Sequence, residues 1–308
     1  MSVVLSGTIS IVLPTMNRRE ELPKFLEHLL AQTRLPDELV VVDAGSDSVE
    51  GLLHEALDGG PIALIYTTAP PGTSSQRNLG IGLSSGEFLF FLDDDMMLEP
   101  DYIENSMACF ELPFEPPVGG VMGTCTNEPT GTAERYKRLF GLTHDSPRGQ
   151  DPHLYTSGGV RWVARPRDVV PVPVAGTGRV AYRRSCMEEE KFDDFLPGYT
   201  YAEDVELAYR VSKRWTIVQT PHARVFHNYS PAARVSLPDR GGRVIYSRFY
   251  FFRQHREKTP RNLAAFAWST AGLSAWLLGV GVAKKAGVTP MLKGLAGGYK
   301  RCLDDLRH

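Results

Sequence analysis

Three consecutive aspartates, Asp93, Asp94 and Asp95, follow directly on five apolar residues, Phe88 to Leu92. An unalternated apolar run of this length predicts a strand buried on both faces of a parallel sheet. Ligands of open α/β sheets lie outside the carboxyl ends of such strands. Carboxylates at that place can hold a hard divalent cation, and through it the anionic group that the cation binds. The same triplet also suits a solvated acidic turn ahead of a helix begun by Pro100 and Asp101, so the rest of the chain must decide between the two readings.

Further residue groups bear on that choice. Asp43 ends the apolar run of VVVDAGSDS, where it serves either a ligand or the turn at Ala44–Gly45. Gln76, Arg77 and Asn78 fall in SSQRNLGIGLSSGE, and a guanidinium matches the geometry of a diphosphate as well as it suits a surface helix. Gly176–Thr177–Gly178 comes far downstream. Glu203 and Asp204 open YAEDVELAYRV, with Val205, Leu207, Ala208 and Val211 as its apolar residues. Carboxylates in a first helical turn are stabilised as anions by the helix dipole, which suits plain helix capping and also a general base. His227, in RVFHNYSP, can be a metal ligand or a satisfied histidine near a strand.

The elements that would position these groups alternate. Ile9–Leu13 predicts a strand that ends at Pro14 and Thr15. A helix follows, capped by Asn17, with Pro23 in its first turn and Leu22, Phe25, Leu26, Leu29 and Leu30 along one face. Strands over Leu39–Val42, Ile62–Thr67 and Phe88–Leu92 are separated by helices over Val49–Leu57 and Ser75–Leu83. Such alternation predicts βαβ units around a parallel, doubly wound sheet. Residues 126–175 are rich in Gly, Pro and Thr and read as a long functional loop or lid, with regular pattern returning at Val160–Ala164 and Val180–Tyr182. Glu203–Val211 predicts a helix and Thr216–Gln219 a short strand.

In this order, the parts resemble the family 2 glycosyltransferases of GT-A fold, over about Ile9 to Ser230. The resemblance implies an α/β fold with a Rossmann-like, mostly parallel sheet flanked by helices, and inverting transfer of a sugar from a nucleotide-diphospho-sugar to an acceptor hydroxyl. It implies that Asp43 contacts the nucleobase or ribose, that Pro14 and Thr15 line the base pocket, and that Arg77 lies near the nucleotide. Asp93 and Asp95 match the DxD motif, with Asp95 on Mn²⁺ or Mg²⁺ and Asp93 reaching the ribose or the metal shell. Asp94 stands among the nucleotide-binding residues where the family often has a small one, which leaves the identity of the ligating carboxylate open by one place. His227 matches a further metal ligand. Glu203–Asp204 matches an acidic pair whose second member deprotonates the acceptor.

Other chemistries fit less well. Gly80, Gly82 and Gly86 make no GxGxxG after a strand, and neither a GxxxxGK[ST] loop nor a GxSxG elbow is present. A nucleotidyltransferase would carry a Gly-rich basic loop after the first strand, and PTMNRRE has no glycine. A non-catalytic sugar- or lipid-binding scaffold of the same fold is the rival from another class.

The chain has 308 residues and a formal charge of −2. That balance hides an asymmetry: residues 1–223 hold 19 Lys and Arg against 32 Asp and Glu, or −13, and residues 224–308 hold 15 against 4, or +11. The expected division is a catalytic domain over 1–230 and a basic, aromatic, helical extension over 231–308. In that extension Arg243–Lys258 interleaves aromatic and basic residues, and Ala264–Ala283 carries no charge. Attachment to an anionic membrane surface ranks first for it, a packed soluble helix second and a true span third, with nucleic acid excluded as a partner. A saccharide or a lipid-linked saccharide is the expected acceptor. Cys109, Cys125, Cys186 and Cys302 are scattered, and MSVVLSGTIS lacks the basic start of a signal peptide. The expected location is therefore the cytoplasm, with the tail held peripherally on the inner face of the membrane.

Overall fold

The computed structural model describes residues 6–128, 133–146, 150–176, 178–194, 201–229 and 235–307. Thr177, and Met1 to Leu5 of the N-terminal reading, lie outside them. The described residues fall into two compact units, one drawn from 1–128, 164–199 and 203–233, the other from 129–163, 200–202 and 234–308.

In the first unit β1 (Ile9–Thr15), α1 (Leu22–Leu30), β2 (Glu38–Asp43), α2 (Glu50–Leu57), β3 (Ala63–Thr68), α3 (Thr73–Leu83) and β4 (Phe88–Leu92) alternate as the pattern predicts. β5 (Met96–Leu98), α4 (Tyr102–Cys109) and β6 (Val118–Cys125) follow. β4, β1, β2 and β3 lie side by side and parallel, in that order. The strand Arg179–Arg183 runs antiparallel between β4 and β6. Thr216–His227 pairs parallel with β6 and antiparallel with β5 and with the short strand Val170–Pro171. Every residue of β2 and β4 is buried. Each large apolar side chain there contributes about 1.5–3 kcal/mol by leaving water, so the sheet is a rigid platform for whatever its strand ends carry.

Register decides where those ends fall. Pro14 pairs with Val42 and Thr15 with Asp43, so β1 and β2 stop level with each other. Two local expectations change. Asn17 does not cap α1, whose N-cap is Glu21. Asn17 instead adopts φ +54°, and its Oδ1 accepts the Ser46 N–H at 3.0 Å, tying the loop after β1 to the loop after β2. The strand expected at Thr216–Gln219 runs on to His227, with a register shift between Gln219 and Arg224. Pro221 falls in that shift, where a residue without an N–H is tolerated. The apolar pattern breaks there, but the strand resumes and delivers His227.

The second unit gives residues 126–175 more structure than a loop, with a helix at Glu134–Leu139 and a three-stranded sheet of His144–Ser146, Val160–Val163 and His153–Leu154. Helices Leu237–His255, Pro260–Ala283 and Val288–Asp305 complete it. The first and third of these approach at glycines: a Cβ on Gly298 would stand 2.4 Å from the Gly242 carbonyl oxygen. Arg248 is buried among them. Its Nη2 reaches Ser157 Oγ and Ser269 Oγ, both at 2.8 Å, and the Gly141 carbonyl at 3.2 Å. Burial pushes its guanidinium down to about 10.

Candidate active site

The ends of β1 and β4, the end of Thr216–His227 and the start of the Glu203–Val211 helix are joined by direct side-chain contacts. The three aspartates have three different environments. Asp94 is buried, and its Oδ2 accepts the Thr15 hydroxyl at 2.7 Å. Burial raises its pKa to about 7, against the opposing pull of Arg18 and the Thr15 hydrogen bond. Asp95 faces His227, with Nε2 at 3.3 Å from Oδ1, and takes an Arg18 hydrogen bond of 3.2 Å on Oδ2. Burial works against its charge, but His227 and Arg18 prevail, and its pKa lies below the ordinary value. Asp93 is the most accessible of the three, with 37% of its side chain exposed.

Arg77 connects the two halves of the site. It is 2% exposed and forks between Asp93 Oδ1 at 3.1 Å and Glu203 Oε1 at 2.9 Å. The Phe192 ring lies 5.4 Å from its guanidinium carbon, and Asn78 holds Phe192 by both backbone groups, accepting its N–H and donating to its carbonyl. Arg77 therefore meets carboxylates on both sides instead of standing free for a diphosphate. Burial, then the charge of adjacent Asp204, raises the pKa of Glu203, and Arg77 opposes both. Removing one partner of a buried ionic group leaves the others uncompensated, at about 3–5 kcal/mol. Arg77→Ala is accordingly expected to lower unfolding stability by about that amount in urea titration. Arg77→Lys, which keeps the charge but loses the planar fork, is expected to fall between it and the parent.

Asp204 is half-buried beside Glu203, and its Oδ1 accepts the Val205 N–H at 2.7 Å. Gly176 lies next to it: a Cβ there would come 3.6 Å from Asp204 Oδ2. Gly178 is required on two counts. Its φ is +83°, and a Cβ would stand 2.5 Å from Asp93 Oδ2. The glycine-bearing segment therefore lies against the carboxylates of both halves.

Asp43 is 1% exposed, and its carboxylate is held by the turn that follows it and by β3. Gly45 N–H donates to Oδ1 at 2.7 Å, and Tyr66 Oη and Val49 N–H donate to Oδ2 at 3.0 and 3.3 Å. Pro14 is half-buried at the neighbouring strand end. Gln76 fastens the two ends together, donating to the Thr15 and Val42 carbonyls at 3.1 and 2.8 Å.

Several residues of the site carry no role in the sequence reading. Arg18 pairs with Asp94 and Asp95, and the only local sign of it is a cation just after a strand end. Asn127 pins the His227 backbone, donating to its carbonyl and accepting its N–H, both at 2.9 Å. Tyr229 stacks on the His227 ring at 3.9 Å. Among the described residues no three His, Cys, Asp or Glu side chains converge as a ready metal cage. The Asp95–His227 pair still fits a hard cation of the kind that takes one or two protein ligands and completes its shell with phosphate and water.

An alternating α/β sheet with carboxylates at the β4 end and an acidic helix start is the GT-A arrangement. The chain belongs to glycosyl transferase family 2, whose family model matches residues 10–164, half of its length. Over 103 residues it is 34% identical to an uncharacterized glycosyltransferase of Haemophilus influenzae, which covers 33% of this chain and 34% of that one. Over 106 residues it is 33% identical to the glucosyl-dolichyl phosphate glucuronosyltransferase of Haloferax volcanii, covering 33% and 34%. The match thus spans about a third of the length of each relative. In three dimensions the chain is similar to the mannosyltransferase PcManGT of Pyrobaculum calidifontis, solved in complex with GDP-Man and Mn²⁺. That similarity has a TM-score of 0.59 at 16% identity and covers 98% of this chain and 88% of the other.

Proposed function

We propose that this chain is an inverting glycosyltransferase that moves a sugar from a nucleotide-diphospho-sugar to the hydroxyl of a saccharide or lipid-linked saccharide. The observation that carries the reading is the Arg77 bridge, which holds a strand-end carboxylate, Asp93, against the acidic helix start that bears Asp204. Nucleotide binding and proton removal are thereby parts of one site. Asp204 accepts the acceptor's proton as the hydroxyl oxygen bonds to the anomeric carbon, and the bond from that carbon to the diphosphate breaks with its electron pair. Glu203, buried and tied to Arg77, positions this base. Asp93, Arg77, Pro14, Thr15 and the turn organised by Asp43 line the nucleotide side, and Asp94 anchors Thr15 behind them. Mn²⁺ or Mg²⁺ held by Asp95 and His227 would neutralise charge on the departing diphosphate. The mannosyltransferase of similar fold, solved with GDP-Man and Mn²⁺, supports the donor class and a divalent metal. The relative named for a glucosyl-dolichyl phosphate supports a lipid-linked acceptor. With that acceptor class goes peripheral attachment, through the basic C-terminal segment, to the cytoplasmic face of a membrane.

A thermal-shift panel of UDP, GDP, dTDP and CDP, each with and without Mn²⁺, tests the reading, because a ligand that binds the native state raises Tm by mass action. At least one nucleoside diphosphate is expected to raise Tm more with Mn²⁺ than without. No shift with any of them would remove the nucleotide-sugar donor from the reading.

A further inference from the structure

The helix Pro260–Ala283 is long and apolar enough to cross a membrane, yet only 22% of its apolar stretch is buried. The core helix of a soluble protein is buried where it is apolar, and a surface helix is polar where it is exposed. This helix follows neither rule. Ala264, Ala267, Trp268, Ala271, Ala275 and Val282 recur at helical spacing, so they share one face, and all are exposed. Val282 is 59% exposed, and Trp268 is 53% exposed at the edge of this face, where its ring stacks on Phe140 and its Nε1 donates to the Leu139 carbonyl.

The opposite face settles how the helix can meet lipid. Ser269, Gly272, Leu273, Leu277 and Gly281 are buried along it. Ser269 Oγ accepts from buried Arg248, the Gly272 carbonyl accepts from Tyr136 Oη, and a Cβ on Gly281 would stand 2.3 Å from Met291. Polar and charged partners therefore meet this side at Ser269 and Gly272, and apolar packing carries it on to Gly281, about 18 Å from Ser269 at 1.5 Å per residue. A helix crossing the bilayer would carry these partners into hydrocarbon. Among the described residues, the face left for the membrane is the opposite one, along Ala264, Ala271, Ala275 and Val282.

The helix Val288–Asp305 repeats the arrangement. Met291, Leu295, Gly298 and Cys302 are buried. Leu292, Tyr299 and Leu303 form a second, exposed stripe beside them, with Lys293 and Lys300 on its other flank. Between Glu257 and Asp304 the chain has no acidic residue, but it has Lys258, Arg261, Lys284, Lys285, Lys293, Lys300 and Arg301, all exposed. Uncovered apolar stripes edged by cations of one sign match an anionic lipid surface, where acyl chains take the stripes and headgroups the charges.

We infer that the Ala264–Ala271–Ala275–Val282 face of the Pro260–Ala283 helix, with the Leu292–Leu303 stripe, lies in the plane of an anionic bilayer interface without crossing it. The inference rests on the membrane attachment proposed above and names its surface and mode. The test uses the full chain with vesicles of phosphatidylcholine alone or mixed with phosphatidylglycerol, in flotation at low and high salt. The parent is expected to float with the mixed vesicles at low salt, to be released by high salt, and to be extracted by alkaline carbonate. Ala271→Glu with Ala275→Glu adds charges at exposed positions and is expected to abolish flotation without lowering Tm. Lys284→Gln with Lys285→Gln is expected to weaken partitioning about fivefold per lysine. The nucleotide-induced Tm shift is expected to be the same in all of these variants, so loss of donor binding is read separately from loss of membrane binding. Failure of the parent to float, or flotation of the Ala271→Glu, Ala275→Glu variant like the parent, would overturn the inference. So would resistance to carbonate, which marks a span, or a lipid-free dimer that those two substitutions split, which marks a second copy as the occupant.

Discussion

Asp204→Asn is expected to lower kcat by about 10²–10⁴-fold while donor affinity stays near that of the parent. The amide keeps the size of the carboxylate and can still accept the Val205 N–H that Oδ1 takes at 2.7 Å, so the helix start remains formed. What it loses is the capacity to take a proton at neutral pH. Glu203 is poorly placed to substitute, because its carboxylate is engaged by Arg77 at 2.9 Å. In the proposed site the donor lies on the strand-end side of the Arg77 bridge, away from the lost group. The measurement is a steady-state profile against donor and acceptor, with donor affinity read independently from the nucleotide-induced Tm shift. A kcat within a few-fold of the parent would transfer the role to another base.

The parts of this fold legible in the sequence are those whose pattern is local. β2 and β4 carry continuous apolar runs, β1 a run broken only by Ser10 before Pro14, and α1 has its apolar residues on one face; these signals are written within a dozen residues. β6 is invisible by the same rule, because VGGVMGTC has too few side chains to show a period. Its glycines have a tertiary cause: a Cβ on Gly119, Gly120 or Gly123 would meet Trp215, Tyr182 or Tyr102 at 2.5, 2.7 and 2.5 Å. The helix Val288–Asp305 is obscured in the same way, since Gly294 and Gly298 break its pattern to let the Leu237–His255 helix approach. The site divides along the same line. Asp93, Asp95, Glu203 and Asp204 stand at element ends that the sequence marks, so they can be picked out one by one. That Arg77 reaches Glu203 across 126 positions, or Arg18 reaches Asp95 across 77, is a property of strand order, and no local pattern carries it.

Strand order also separates the roles of three adjacent carboxylates, and Asp95→Ala puts that separation to the test. Asp94 points back into the protein, held by Thr15 at 2.7 Å with its pKa raised by burial to about 7. Asp93 is tied to Arg77. Asp95 is the one in direct contact with the imidazole, at 3.3 Å, with its charge favoured by His227 and Arg18. It is thus the member of the triplet best suited to share a hard cation with His227. Asp95→Ala is expected to reduce kcat/KM by about 10³-fold or more, the several kcal/mol of charge stabilisation lost at the leaving diphosphate. The same variant is expected to lose the Mn²⁺-dependent part of the nucleotide Tm shift, a readout that needs no turnover. Global stability is expected to change little, because Arg18 keeps Asp94 within 3.6 Å and His227 keeps its backbone bonds to Asn127. Asp94→Asn is the contrast: its side-chain oxygen can still accept from Thr15, and Asp95 and His227 are untouched, so the Mn²⁺ dependence is expected to persist. Should Asp95→Ala bind nucleoside diphosphate with undiminished Mn²⁺ dependence while Asp94→Asn loses it, the metal would have to be assigned one residue earlier in the triplet.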